Sequence, residues 1–183
     1  MRKTDQSGAS MIEMIGILGI ISVVTTGILA TVSKIYDRYQ QSAITTQIRD
    51  LQKNIRVRFS AMSDYRDLSK GNAVEQLVKE RVIPSDMVSG DKLYHAYNGE
   101  VKLSGTKYDY TIKFSDLKRN GCVDLLGLSW TVNDTSDLIR LKANGITYTW
   151  TAGGSNRLPI DLIEAGKRCD SNRTKNSIEW TFQ

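Results

Sequence analysis

A long apolar run near the amino terminus carries a single charge. From Met11 to Val32 every residue is Met, Ile, Leu, Val, Gly, Ala, Ser or Thr, with Glu13 as the exception. At ~1.5 Å per residue, a helix of about twenty residues spans a ~30 Å hydrocarbon layer. The pattern therefore predicts a membrane-spanning helix over about residues 9–32, with a carboxylate close to its start.

Glu13 is costly in such a helix, because an ionised carboxylate inside a membrane needs a partner of opposite charge. The nearest basic residues are Arg2 and Lys3 before the run and Lys34 after it. We expect the partner to be a newly made amino terminus on an identical neighbour. A secretory signal peptide or a plain signal anchor are the alternatives for this segment, and neither explains the carboxylate.

A second pattern follows the apolar run and has helical spacing. Apolar residues recur at steps of three and four with charged residues between them, at Ile44, Ile48, Leu51, Ile55, Phe59 and Met62. Such a stripe marks one buried face of a helix. The two patterns together predict one long helix over residues 9–62, whose second half lies against a soluble domain.

Residues 63–183 are predicted to form an α+β head with one core. A short helix over Ala73–Val82 stops before Pro84, because a residue that precedes proline avoids helical dihedrals. Alternating β-branched and aromatic residues predict strands of an antiparallel sheet over Glu100–Leu103, Tyr108–Phe114, Ser129–Val132, Ile146–Thr151 and Ile178–Phe182. Residues 63–72 are expected to connect the long helix to this head.

The amino-terminal residues resemble the precursors of type IV pilins and of the related pseudopilins of type II secretion. Those precursors carry a short basic leader that ends in Gly, and then an apolar helix with Glu at its fifth residue. Here residues 1–8 resemble the leader, and Glu13 is fifth when Ala9 is counted as the first mature residue. Ala9 is smaller than the usual first residue, and Ala30 stands where many members have a helix-bending Pro.

This resemblance implies how the chain is processed and assembled. A membrane prepilin peptidase would cut between Gly8 and Ala9, and the new amine of Ala9 would be methylated. Glu13 would then meet the Ala9 amine of the adjacent subunit. The implied fold is the type IV pilin fold, in which a long amino-terminal helix, membrane-spanning in its first half, packs on an antiparallel β-sheet head.

Residues 72–126 resemble the type IVb branch of the pilins more specifically. In that branch a short helix ends in an Ile-Pro pair, a Gly-bearing turn and a strand follow, and the chain then reaches a Cys. The same order occurs here as Ile83-Pro84, Asn98-Gly99, Tyr110–Phe114 and Cys122.

The resemblance implies a structural subunit of a pilus filament and not an enzyme. The subunit would wait in the inner membrane with its head in the periplasm. A cytoplasmic assembly ATPase and an inner-membrane platform protein would then extract it into a cell-surface pilus of identical or related subunits. One alternative is a minor pilin or pseudopilin. Another is a membrane-anchored adhesive or ligand-binding domain that does not polymerise.

The two cysteines, Cys122 and Cys169, both lie in the part predicted to leave the cytoplasm, since Arg2 and Lys3 stay inside by the positive-inside rule. We expect them to form a disulfide, because that compartment is oxidising. Pilins commonly have a carboxyl-terminal disulfide whose loop forms much of the exposed face. Two buried free thiols are the alternative.

Other candidate chemistry is sparse, and no cofactor or metal is predicted. The one histidine, His95, cannot build a multi-histidine site and is expected to be a surface or half-buried residue. One group of carboxylate, amide and hydroxyl side chains could bind a calcium ion, but acidic residues are also common in polar turns that bind no metal. These candidate ligands are Asn133, Asp134, Ser136 and Asp137.

The formal net charge of +5 raises the question of whether the protein binds nucleic acid. The basic residues are spread along the amphipathic helix and near the carboxyl terminus, where they include Lys167, Arg168, Arg173 and Lys175. A basic face of this kind fits contact with an acidic face of the next subunit, or plain solvation, better than DNA binding.

Overall fold

The computed structural model describes residues 11–62, 64–130, 137–151, 153, 156–170 and 175–183, without the side chains at positions 26, 27, 29 and 30. The elements within these ranges are the helices α1 (Met11–Phe59), α2 (Ala73–Lys79), α3 (Arg119–Leu126) and α4 (Leu162–Arg168), and the strands β1 (Val88–Ser89), β2 (Lys92–Tyr94), β3 (Glu100–Gly105), β4 (Tyr110–Leu117), β5 (Leu138–Ala143), β6 (Ile146–Thr149) and β7 (Asn176–Phe182). The chain divides into two compact units after Tyr39.

The first unit contains the amino-terminal part of α1, whose apolar side chains are exposed. Its hydroxyl groups are satisfied within the helix: the Ser22 hydroxyl donates to the Leu18 carbonyl at 2.8 Å, and that of Thr25 donates to the Ile21 carbonyl at 2.7 Å. In the described ranges, no helix combines the length and the hydropathy that a bilayer crossing requires. The predicted membrane span over residues 9–32 is therefore not confirmed.

The second unit is built on a seven-stranded antiparallel sheet with the order β1-β2-β3-β4-β7-β5-β6. The last of the described strands, β7, lies inside the sheet and pairs with β4 on one side and with β5 on the other. Trp180 is thus directly opposite Ile112 in β4 and Leu141 in β5. All three side chains are fully buried.

The second half of α1 packs on this sheet through the predicted stripe. Ile44, Ile48, Leu51, Ile55 and Phe59 are each at most 4% exposed and belong to one core cluster with the strands. Burying a side chain of this size contributes roughly 1.5–3 kcal/mol. The stripe is therefore the main attachment of the helix to the sheet.

Polar and aromatic contacts fix the position of the helix on the sheet. The Tyr110 hydroxyl donates to the Gln52 carbonyl of α1 at 3.2 Å. The Tyr65 ring lies 5.5 Å from that of Phe59 and 4.8 Å from that of Tyr110. Met62 was predicted to extend the stripe, but its side chain is 49% exposed because α1 ends at Phe59.

The helix α2 ends at Lys79, three residues before the predicted end at Val82. Arg81 adopts a left-handed conformation with φ of 58°. The Val82 N–H bonds to the Leu77 carbonyl at 2.9 Å, and the Arg81 N–H bonds to the Val78 carbonyl at 3.0 Å. This pair of bonds is a Schellman motif, which stops the helix without a glycine.

The predicted strands agree with β3, β4, β6 and β7 apart from their ends. The prediction over Ser129–Val132 is wrong for Ser129 and Trp130, which lie outside any strand, while Thr131 and Val132 are outside the described residues. The Trp130 ring instead packs against Trp180 and Phe182, with ring centroids 6.4 and 5.6 Å away. The fold class is confirmed: it is α+β, with a long amino-terminal helix and an antiparallel sheet.

Candidate functional site

The predicted assembly residues lie at the amino-terminal end of α1. Glu13 is in the first turn of this helix, where the partial positive charge of the helix end stabilises a carboxylate. Met11 and Ile12 beside it are 84% and 81% exposed. Gly8 and Ala9, the predicted cleavage and methylation sites, lie outside the described residues.

The exposed apolar surface extends well beyond the first turn of α1. We call Met11–Val32 the apolar segment. Its large apolar side chains with a described environment are all more than half exposed, namely Met11, Ile12, Met14, Ile15, Ile17, Leu18, Ile20, Ile21, Val23, Val24, Ile28 and Val32. A contiguous apolar surface of this extent marks an interaction site and is not the scattered exposure normal on monomers.

The predicted disulfide is confirmed. Cys122 in α3 and Cys169, directly after α4, are joined with an Sγ–Sγ distance of 2.02 Å and a Cα–Cα distance of 5.9 Å. Both residues are buried in the core. A hydrogen bond from Arg119 Nη2 to the Gly166 carbonyl, at 3.3 Å, links the same two helices.

We call residues 122–169 the disulfide loop. It supplies β5 and β6, and the pairing of β5 with β7 makes the loop one edge of the sheet. Its chain returns through α4 to the bond with α3. The loop is thus fixed both covalently and by strand pairing.

Asn176 is a buried polar residue that sequence reasoning missed. Its side chain is 1% exposed. Its amide nitrogen donates to the carbonyls of Leu117 at 3.2 Å and Asp170 at 3.4 Å, and its amide oxygen accepts from Asn144 Nδ2 at 2.8 Å and the Asp170 N–H at 2.9 Å. It therefore joins the end of β4, the β5–β6 turn and the residue after the disulfide.

His95 was expected to be a surface or half-buried residue, and this is wrong, because its side chain is 2% exposed and therefore buried. The Nε2–H group donates to the Ser115 carbonyl at 2.7 Å, and Nδ1 accepts from the Tyr97 N–H at 3.2 Å. Its ring also stacks on Phe114 at 5.2 Å. Burial lowers the pKa of His95, so the neutral ring that these two hydrogen bonds require is favoured.

Of the four candidate calcium ligands, only Asp137 is among the described residues. Its carboxylate lies 3.1 Å from Arg56 Nη2. Within the described part of the chain, no group of three His, Cys, Asp or Glu side chains is placed to hold a metal ion. Three of the basic residues named above, Lys167, Arg168 and Lys175, line one cleft beside the disulfide. Arg173 is outside the described residues.

A long amino-terminal helix with an exposed apolar segment, together with an antiparallel sheet that a carboxyl-terminal disulfide closes, defines the class of the type IV pilins. The family model described as PilS N terminal matches residues 38–183. The chain therefore belongs to this family of type IV pilins. Its members are structural proteins and not enzymes, so this chain is a pilin-like structural subunit that assembles with other pilins and is associated with the pilus and the membrane.

A solved structure with the same fold is that of TcpA, a type IV pilin from Vibrio cholerae El Tor biotype. The two chains are 12% identical, and the match covers 79% of this chain and 99% of that one with a TM-score of 0.51. This likeness concerns the fold alone. No curated protein sequence matches the chain.

Proposed function

We propose that this chain is a subunit of the shaft of a type IV pilus and that it polymerises through the apolar segment. The observation that carries the proposal is the exposure of this segment, with one carboxylate in its first turn. Packing such helices against one another removes their apolar side chains from water. The apolar segments would thus form the core of the filament.

Glu13 would set the register of neighbouring helices in that core. A carboxylate that leaves water needs an opposite charge close by. Cleavage between Gly8 and Ala9 would create an amine four residues before Glu13, and the amine of the adjacent subunit would neutralise this carboxylate. Methylation of Ala9 would keep the positive charge of the amine.

Before assembly the subunit would reside in the inner membrane with residues 1–8 as its leader, and residues 63–183 would form a periplasmic head. The Cys122–Cys169 bond supports an oxidising location for this head. Prepilin peptidase would process the precursor, and a platform protein with an assembly ATPase would move it into a cell-surface pilus. Alkaline carbonate extraction of unassembled protein tests the lipid contact: release into the soluble fraction would contradict membrane residence.

The role of Glu13 is tested with Glu13→Ala in the intact cell. We expect normal amounts of the protein in cells and a severe loss of the variant from sheared filaments, because the buried amine would lack its counter-charge. The matched control is Glu75→Ala, which removes an exposed carboxylate on α2. Filaments with a normal content of the Glu13 variant would contradict the proposal.

The mass of the amino terminus in the same sheared material tests processing. A chain that begins at Ala9, with or without one added methyl group, supports cleavage and assembly. An intact leader would favour the membrane-anchored domain that does not polymerise. A processed chain that is rare relative to another pilin in the filament would favour the minor pilin.

A further inference from the structure

A cleft of about 670 Å³ lies beside the disulfide, and its lining is rich in basic groups. Arg119 comes from α3, Lys167 and Arg168 come from α4, and Lys175 lies directly before β7. The volume is in the range of sites that hold small ligands. None of its described lining residues is aromatic.

Three hydrogen-bond acceptors in the wall of this cleft already have donors from the protein. The Gly166 carbonyl accepts from Arg119 Nη2 at 3.3 Å, and the Arg168 carbonyl accepts from Asn144 Nδ2 at 2.8 Å. The Asn144 side-chain oxygen accepts from the Ser177 N–H at 2.8 Å. A ligand would therefore meet three acceptors that are already occupied.

Donors, in contrast, remain available. The Lys167 and Lys175 side chains are exposed, and within the described ranges neither ammonium group has an ion-pair or hydrogen-bond partner. Arg168 Nε lies 2.6 Å from Glu164 Oε1, and Asp170 is the one carboxylate among the described lining residues. Four basic groups against two carboxylates leave a net charge of about two positive.

The framework around the cleft is fixed. The disulfide and the Arg119–Gly166 bond hold α3 and α4 on its two sides. Below them, the fully buried Asn176 joins the neighbouring backbone segments through four hydrogen bonds. Basic side chains thus project from a rigid base, which lowers the entropy lost when a ligand binds.

We propose that this cleft binds the phosphate group of a phosphorylated small molecule, such as a sugar phosphate. A phosphate monoester carries close to two negative charges and three acceptor oxygens, which match the net charge and the donors of the cleft. A ligand that carries a single carboxylate instead would match only about half of that charge. The lack of an aromatic lining residue removes the stacking contacts on which nucleic-acid bases depend.

The test uses isothermal titration of the full-length chain in a nonionic detergent, with glucose 6-phosphate, glucuronate and glucose as three separate probes. We expect saturable binding of the phosphate and at least about tenfold weaker binding of the other two, because charge-assisted hydrogen bonds are lost. Filament formation is not needed for this measurement. A failure of this binding test would therefore leave the proposed pilus function standing. A failure of filament assembly would likewise leave the proposed phosphate site standing.

Two double variants, each of which removes two positive charges, locate the binding site. Lys167→Ala with Lys175→Ala should weaken glucose 6-phosphate binding at least about tenfold. The matched control, Lys92→Ala with Lys107→Ala, removes two exposed lysines outside the cleft and should leave binding unchanged. A third variant, Arg119→Gln, keeps both lysines and is also expected to weaken glucose 6-phosphate binding.

Three outcomes would overturn the proposal. They are no saturable binding of glucose 6-phosphate, equal binding of glucuronate, and an equal loss of affinity in the control pair. An unchanged thermal unfolding midpoint in each variant shows that a loss of binding does not reflect unfolding.

Discussion

Asn176 and His95 show how this head buries polar side chains, since both are almost inaccessible and both have hydrogen-bond partners. A buried polar group that lacks a partner costs about 1–3 kcal/mol, so such residues specify which backbone groups must meet. Asn176 specifies contacts among segments far apart in the sequence. His95 specifies the turn between β2 and β3.

Sequence periodicity could have placed one of these two residues in the core. Asn176 alternates with Ile178, Trp180 and Phe182, so a period of two puts it on the buried face of β7. His95 lies just beyond β2, whose three residues are too few to establish a period of two from the sequence. Its burial depends on Phe114 and Ser115 of β4, which tertiary pairing brings near.

His95 should make the head less stable in mild acid. Burial lowers its pKa below 6.5 in the folded state, so the unfolded chain binds more protons as the pH falls below 6.5. Its contribution is present above that pH and is lost progressively below it. We expect a lower free energy of unfolding at about pH 5 than at about pH 7.5, measured by urea titration.

The control for this pH effect is His95→Gln, whose amide does not titrate in this range. The variant is expected to be less stable at both pH values, but with a smaller difference between them. Asp116 is the charged group that acts on His95, and it favours protonation, opposing the effect of burial. An equal pH dependence in the variant would show that other groups cause it.

At the scale of elements, α1 is the part most directly determined by local pattern. Its stripe of Ile44–Phe59 is buried as the spacing predicts. The dipeptide Asn144-Gly145, which is typical of turns, forms the turn between β5 and β6, where both residues have positive φ angles. Local chemistry fixes these two features, because period and turn residues need no distant partner.

Two other elements could not be predicted, for identifiable reasons. Asn120-Gly121 is a dipeptide typical of turns, yet both residues lie inside α3. Gly121 is needed there since a Cβ atom would overlap the ring of Tyr97. In β5, Leu138 and Leu141 are both buried although they are three residues apart, because the pairing with β7 shifts register between Leu138 and Arg140.

The disulfide is the strongest connection between elements, and its removal should be costly. It closes a loop with a sequence separation of 47 residues. The chain-entropy model gives a stabilisation of about 4 kcal/mol for a loop of this size. We expect Cys122→Ala with Cys169→Ala to lower the free energy of unfolding by about that amount in urea titrations.

A reductant provides the control for the cysteine pair. Dithiothreitol should lower the stability of the unmodified chain towards that of the double variant, and should leave the variant unchanged. If the double variant unfolds at the same urea concentration as the oxidised chain, the bond does not stabilise the head.

At the scale of the whole molecule, β7 is the strand that joins two portions of the sheet in the head. This strand separates β4 from β5, so the β1–β4 and β5–β6 portions of the sheet are joined through it. Trp180 and Phe182 belong to the same core cluster as the α1 stripe. Loss of this strand would therefore expose the buried apolar side chains of β4 and β5 that lie beside it.

We predict that deletion of residues 176–183 prevents folding of the head. The expected signs are loss of near-ultraviolet circular dichroism and of a cooperative urea transition. Deletion of Gln183 alone is the matched control, because it removes one backbone bond, from its N–H to the Asp137 carbonyl at 2.9 Å. A cooperative transition in the longer deletion would show that β1–β4 fold by themselves.

The central position of β7 also affects the order of events in the living cell. Synthesis reaches the apolar segment first and β7 after the other six strands. No nascent chain can complete this sheet while residues 176–182 are still inside the ribosome. Until β7 pairs, β4 and β5 each keep an unpaired edge, and a chaperone that met the chain at this stage would find the apolar side chains of both strands uncovered.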